Sequence, residues 1–400
     1  MGSAPSDLET RGPFAPVGDE QSRARSVHSP SVCGGSLKRT NSNQRKGADL
    51  TEAEAAILAK RRNDEIEKQL MQERTAARRT LKILILGGPE SGKSTVFKQM
   101  KILHMSGFTT SDLINYRYLV YNNTVQALQQ LLKGAVQLRI SMERYCSSDL
   151  EAFYKFCESQ PDGYYDLNEE MGYSIEKIWL SRPVQQCYRR QNEFKLLDSA
   201  KYFLDSIIRI SSPSYQVTHQ DILRTRKPTV DINEITFEYR NAHLWMIDVG
   251  GQKSEQRKWI HCFDGVQALM FVASLSSYDT VDPENPAQNL LLSSLQIFER
   301  MVNHVAFKKT ATILFLNKKD VFAEKILRHP LKSCFPDYDG PSQPQEAIKH
   351  IEVEFLKVTP EDKEVYSHFT VATDTKNVDR VFEACMDVVF KQNMERIGFL

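Results

Sequence analysis

One stretch constrains this chain more than any other: Leu81-Lys82-Ile83-Leu84-Ile85-Leu86-Gly87-Gly88-Pro89-Glu90-Ser91-Gly92-Lys93-Ser94-Thr95. The apolar run rich in Ile and Leu reads as a buried strand, a glycine-rich turn comes next, and Lys93 onward opens a helix. Gly87 through Ser94 fits the phosphate-loop pattern G-x-x-x-x-G-K-[ST] in the strand–loop–helix setting that the pattern requires. Backbone N–H groups must close around phosphate oxygens, so the turn needs small residues. The helix N-terminus adds partial positive charge at the same place. Lys93 would reach the β- and γ-phosphates, and the Ser94 hydroxyl would ligate Mg²⁺. The competing reading is a glycine turn with a solvated lysine, and the strand before and helix after argue against it.

Composition bounds the rest. A chain of 400 residues implies about two to three domains, and 41% hydrophobic content is enough for sizeable cores. The net charge of +1 gives no argument for nucleic-acid binding. Cysteines stand at positions 33, 146, 157, 187, 262, 334 and 385 with no C-x-x-C pair, which reads as reduced thiols in a cytosolic setting. No apolar run approaches the ~20 residues of a membrane span, and no apolar leader opens the chain.

Residues 1–48 are rich in Ser, Gly, Pro and Arg and read as a disordered extension. Met1-Gly2-Ser3-Ala4-Pro5-Ser6 matches the N-myristoylation pattern at Gly2. A single acyl chain holds a membrane only marginally, so a second signal is needed: Arg23, Arg25, Lys38, Arg39, Arg45 and Lys46, or acylation of Cys33. The other reading is a solvated tail. Residues 49–79 predict one charged helix, opened by a Thr51/Glu54 capping box, with a sparse apolar stripe of Ile57, Leu58, Ile66, Leu70 and Met71. Such a helix is solvated or docks a partner along that narrow stripe.

Between 108 and 220 the spacing turns helical, over 115–132, 150–157, 175–187 and 199–210, and few runs look like strands. This predicts an all-helical domain inserted into an α/β domain of residues 80–107 and 221–400. Strand–helix alternation resumes at Ile232. A hairpin is expected over 236–240 and 243–247, around Asn241-Ala242, and buried strands over 268–273, 312–316 and 366–371. The alternation implies a mostly parallel sheet with helices on both faces.

Two further motifs sit at strand ends. Asp248-Val249-Gly250-Gly251-Gln252 places an acid where it can hold a phosphate-bound Mg²⁺ through water, followed by glycines that let backbone approach a γ-phosphate. Asn317-Lys318-Lys319-Asp320 suits guanine: the Asp320 carboxylate accepts from N1–H and the exocyclic amine, the Lys318 stem lies over the base, and adenine offers neither donor there.

With these motifs in place, the chain resembles the α subunits of heterotrimeric G proteins from about Thr51 to Leu400. The resemblance adds residues 221–229, Lys253–Trp259 and 368–378 to the motifs above. It implies a Ras-like P-loop GTPase fold with an inserted helical domain, and a switch that binds GTP, hydrolyses it slowly to GDP and couples a seven-helix receptor to effectors. On the residues alone Arg226 is one arginine in a basic loop; the resemblance makes it an arginine finger supplied in cis, and makes Gln252 the residue that orients the attacking water. The implied nucleotide contacts include Leu223, Arg224, Thr225 and Arg226, and Ser94 with Thr229 as Mg²⁺ ligands, Asp248 lying behind them. Ala372 would offer its N–H to the guanine oxygen. The implied partners are a βγ dimer, docked by the 49–79 helix and by Trp259 with Lys258 and His261, GTPase-activating regulators, and a receptor read by the C-terminal helix ending Arg396-Ile397-Gly398-Phe399-Leu400. The implied location is the cytoplasmic face of the plasma membrane, partly cytosolic.

The chain departs from the family pattern at Pro89, Asp231, Gln256, Val371, Ile397 and Ser3. Pro89 matters most, because proline removes an N–H and adds a ring beside the γ-phosphate. The alternative function is therefore a GTP-binding signalling scaffold with little hydrolysis.

Overall fold

Strand β1 (Thr80–Leu86) sends its side chains alternately into two apolar layers. Leu81, Ile83 and Ile85 enter a core shared with Val96, Phe97, Met100 and Phe382, whereas Leu84 and Leu86 enter one shared with Phe298 and Phe355. Both faces of the sheet are therefore covered. The computed structural model describes residues 57–68, 71, 80–142, 147–160 and 164–397.

Five more strands complete the sheet: β2 (Asn233–Tyr239), β3 (Ala242–Asp248), β4 (Ala268–Ser274), β7 (Ala311–Asn317) and β8 (Val365–Thr370). The order is β2-β3-β1-β4-β7-β8, with β2 antiparallel and all other pairings parallel. Every residue of β4 and β7 is buried, which is why both read as unbroken apolar runs. The predicted hairpin is present, but it turns on Arg240 and Asn241, both at positive φ (49° and 66°), the geometry of a tight two-residue turn. A separate hairpin of β5 (Val281–Asp282) and β6 (Asn285–Asn289) was not foreseen; with Asn and Pro in so short a segment, it lacks an alternating apolar signal. The strand expected to be buried over 366–371 is β8, a half-buried edge strand, because only one neighbour flanks it.

A third core is drawn entirely from residues 120–215, centred on Tyr121, Leu128, Phe153, Ile175, Trp179 and Phe203. No strand occurs there among the described residues. Two expected helices are each broken by a serine. Ser181, in extended conformation, separates Glu169–Leu180 from Arg182–Arg189, and Ser206 separates Ala200–Asp205 from Ile207–Ser211. A proline stands two residues after Ser181, and it is tolerated only in a helix's first turn.

The chain divides into two units, Met1–Glu65 and Ile66–Leu400. In the first, residues 57–65 are helical and exposed, Ile57 and Leu58 included, as a polar helix requires. The rest of the extension, with Gly2 and Cys33, lies outside the described residues. Among the described residues, Cys157, Cys187, Cys262, Cys334 and Cys385 are free thiols.

Asp221 ties the helical segment to the loop that leads into β2. It is fully buried in the short helix His219–Arg224, whose capping box pairs it with Thr218. Its carboxylate also accepts from Tyr202 (2.8 Å), Tyr215 (3.1 Å) and both terminal nitrogens of Arg209 (2.6 and 3.0 Å). Burial alone would raise its pKa, but bonds from Arg209, the Thr218 backbone and Tyr202 outweigh it and hold the group at about 2. A depressed carboxyl contributes stability above its unfolded value of 3.8, and that contribution is lost as pH falls through about 2. Asp221→Asn should therefore melt well below the wild type at pH 7, by on the order of 2 kcal/mol for the donors left without a charge. Thermal melts taken downward from pH 4 should show the gap closing.

Candidate nucleotide site

The carboxyl ends of β1, β3, β7 and β8 open into a cleft of about 1020 Å³. One wall comes from the loops after those strands and the other from the helical segment, through Asn123, Tyr164 and Asp198. The loops approach one another so closely that glycine is required. Gly87 and Gly92 hold φ of +150° and +103°, and a Cβ on them would lie 2.1 Å from the Val272 carbonyl and 2.2 Å from Asn317 Nδ2. Gly251 seats the second motif on the first: a Cβ there would meet Lys93 Nζ at 2.4 Å and the Gly88 carbonyl at 2.7 Å.

Lys93 opens the helix Lys93–His104 directly after Gly92. Its ammonium is buried and donates to the carbonyls of Gly87 (3.0 Å) and Gly88 (2.7 Å). Burial lowers its pKa to about 8, against the pull of Asp248. Asp248 ends β3 and is 1% exposed, yet neither carboxylate oxygen has a well-formed hydrogen bond among the described residues. Burial raises its pKa to about 6, against Lys93, Ser94 and Lys98. Beside it, the hydroxyls of Ser94 and Thr229 lie 2.8 Å apart. An ionisable carboxylate with no well-formed hydrogen bond among the described residues and two converging hydroxyls form an all-oxygen donor set, which fits a hard divalent cation such as Mg²⁺.

Asn317, 1% exposed, locks three loops together. Its amide donates to the Ser91 carbonyl (2.9 Å), and its oxygen accepts from Ala372 N–H (2.9 Å) and the Thr370 hydroxyl (3.1 Å). The Ala372 N–H expected to face guanine is thus directed at Asn317, a correction whose physical reason is the burial of the asparagine oxygen between β7 and β8. Lys318 sits in the left-handed region (φ 62°) and pairs with Asp198 of the helical segment, while Asp320 is exposed at the rim. Trp259 also differs from expectation. It is buried, and its indole donates to the Gly250 carbonyl (2.8 Å), leaving Lys258, Ile260 and His261 on the surface there.

Arg226 is brought to the phosphate loop by tertiary contacts. Its guanidinium donates to Glu90 at 2.6 Å, and Lys195 lies 3.6 Å from the same oxygen. Upstream, Lys98 Nζ donates to the carbonyls of Ile222 (2.9 Å) and Thr225 (3.1 Å). Gln252, Thr229 and Pro89 line the same cleft. Lys253, next to Gln252, is held to Glu284 of the β5–β6 hairpin through its N–H (3.1 Å to the nearer carboxylate oxygen) and its ammonium, which bonds the Glu284 carbonyl at 3.0 Å. Sequence reasoning missed Lys98, Asn123, Asp198 and Glu284. Only Asn123 left a signal, a polar residue on the buried face shared by Val120, Thr124 and Ala127.

A family model described as "G-protein alpha subunit" matches residues 60–389. The chain is 45% identical over 370 residues to the guanine nucleotide-binding protein alpha-11 subunit of Caenorhabditis elegans, covering 86% of this chain and 99% of that one. It is 42% identical over 356 residues to the guanine nucleotide-binding protein G(o) subunit alpha of Locusta migratoria, covering 88% and 99%. With the alpha-7 subunit of Caenorhabditis briggsae it shares 42% over 341 residues, covering 85% and 96%.

Removing the Asn317 side chain would unpair a buried N–H and a buried carbonyl at once. Each such loss costs about 1–3 kcal/mol, and each 1.4 kcal/mol is about tenfold in affinity. Asn317→Ala should bind a fluorescent guanine nucleotide at least about tenfold more weakly in equilibrium titration.

Proposed function

The chain belongs to the G-protein alpha subunit family, and from that premise we propose how its cleft performs the switch. The protein is a signalling GTPase of a heterotrimeric G protein: it binds GTP and GDP and hydrolyses GTP. Our reading takes residues 80–107 and 221–400 as the nucleotide-binding domain and 108–220 as the helical insertion. A core drawn only from residues 120–215 supports that division.

The observation that carries the site assignment is Arg226 on Glu90 of the phosphate loop, in one cleft with Gln252. Lys93, at the helix N-terminus, neutralises phosphate charge, and a phosphate oxygen gives its buried ammonium a better acceptor than two loop carbonyls. Arg226, once released from Glu90, places its guanidinium against the equatorial oxygens of the transferring phosphoryl group, where charge develops. Gln252 orients the attacking water. Ser94 and Thr229 would hold Mg²⁺, with Asp248 behind them. When bound, the ion offsets phosphate charge and fixes the phosphate in line for attack. Asn317, Lys318 and Asp320 take the guanine, Asp320 supplying the acceptor that selects it. Leu223, Arg224 and Thr225 shape the wall beside the phosphates. The low-hydrolysis alternative depends on Pro89 alone, and Arg226 and Gln252 line the same cleft as that proline.

As a family member the protein works with βγ, receptor and effector partners. We assign βγ docking to the 49–79 helix together with the surface around Lys258 and His261, receptor reading to the C-terminal helix, and membrane attachment at the cytoplasmic face to acylation at Gly2. Residues 1–56 and 398–400 lie outside the described residues, and no described helix is long and apolar enough to cross a membrane.

Single-turnover hydrolysis of preloaded GTP tests the assignment. Family members with the arginine in cis turn over on the order of 10⁻² per second. A rate of that order, falling at least about a hundredfold in Arg226→Cys and in Gln252→Leu, is expected. Tight binding with a negligible rate in all three proteins would instead establish the scaffold. Chelating Mg²⁺ should speed GDP release in the wild type and do so less in Ser94→Ala, as measured by loss of a fluorescent nucleotide.

A further inference from the structure

Asn123 lies in the middle of the helix Thr110–Gln137, 2% exposed, on the face that builds the helical segment's own core. Asparagine is a poor choice inside a helix, and a buried amide is costly unless both of its ends are bonded. Both ends are bonded, and to a single residue across the cleft. Asn123 Oδ1 accepts from Arg226 N–H at 2.5 Å, and Asn123 Nδ2 donates to the Arg226 carbonyl at 3.0 Å.

We propose that Asn123 is a positioning residue for hydrolysis, clamping the backbone of Arg226 so that the helical segment aims the arginine at the transferring phosphoryl group. The proposal rests on the assignment of Arg226 made above. Gripping the N–H and the C=O of one residue fixes the peptide planes on both sides of its Cα, and therefore the direction of the Cα–Cβ bond. The guanidinium can then move from Glu90 to a phosphate by side-chain rotation alone, with the backbone held. Lys98 shares the first of these planes, since it grips the Thr225 carbonyl of the same peptide unit as the Arg226 N–H; the Arg226 carbonyl is held by Asn123, and Glu90 holds only the tip of the side chain. Tyr165 N–H on Asn122 Oδ1 (3.1 Å) and Thr124 on the Val120 carbonyl (2.8 Å) keep the neighbouring side chains within the helical segment. Asn123 alone of these three adjacent residues bonds across to Arg226. Displacing a catalytic group by about 1 Å costs on the order of a hundredfold in rate, which sets the scale of the effect.

The test is single-turnover hydrolysis of preloaded GTP by full-length wild type, Asn123→Ala, Arg226→Ala and the double variant. Asn123→Ala should be slower by about tenfold to a hundredfold. The double variant should be no slower than Arg226→Ala, because a clamp has nothing to aim once the guanidinium is gone. An equal further drop in the Arg226→Ala background would mark a merely structural role and overturn the clamp. So would wild-type hydrolysis by Asn123→Ala beside a collapsed Arg226→Ala, which leaves the GTPase assignment standing. Wild-type hydrolysis by Arg226→Ala would remove the arginine's role and the clamp with it. Hydrogen exchange on the unmodified protein needs no variant to fold: the Arg226 amide should be strongly protected, and exchange at the rate of an open loop would refute the proposal.

Discussion

An ammonium and a carboxylate buried at the same strand ends, neither fully satisfied by the protein, are the constraint on which the cleft depends. Burial pushes Lys93 down to about 8 and Asp248 up to about 6, so each keeps its charge near neutral pH at a desolvation cost. Loop carbonyls stabilise the first, and nothing of good geometry among the described residues stabilises the second. A polyanion accompanied by a divalent cation answers both needs at once. The same crowding dictates the glycines, since the Gly88 carbonyl and Lys93 ammonium leave no room for a Cβ at Gly251. Any move of residues 250–252 is thereby mechanically linked to the phosphate loop.

The second organising fact is that the arginine belongs to neither half of the cleft by itself. Segment 222–226 is suspended between Lys98 on the sheet side, Asn123 on the helical side and Glu90 at the phosphate loop. Asp221, just before it, gathers donors from Tyr202, Arg209 and Tyr215 into one buried carboxylate. A flexible linker would leave the guanidinium solvated and its contribution small. Fastening its backbone supplies the preorganisation that transition-state electrostatics require. The pairing of Lys253 with Glu284 extends the arrangement, connecting the Gln252 segment to a hairpin that is not part of the main sheet.

How much was legible in the sequence depends on how local each signal is. Gly87–Thr95, Asp248–Gln252 and Asn317–Asp320 each combine a buried strand with turn chemistry inside a few residues, so their places at strand ends could be read directly. The helix break at Ser181 has a local signal in Pro183, which belongs in a helix's first turn, whereas the break at Ser206 has none, because apolar spacing continues across it. Trp259 was misplaced for a similar reason: a tryptophan in a charged segment looks like a docking residue until its indole is seen against the Gly250 carbonyl. Likewise the Ala372 N–H was free to be offered to a base until Asn317 was seen to take it.

By itself, then, the sequence determined the fold class, the phosphate loop, the family and the identity of the groups we assign to the nucleotide. These depend on residue type and short spacing, which backbone sterics and hydrogen-bonding capacity turn into geometry within one strand–loop–helix unit. Only the tertiary structure decided which residues aim those groups. Asn123 and Arg226 are 103 positions apart, and Glu90 and Arg226 are 136 apart. No local rule relates residues at such separations. They meet because the segment 222–226 is bonded at once to Lys98, to Asn123 and to Glu90 of the phosphate loop. A buried amide such as that of Asn123 must find a partner there or carry the cost of desolvation.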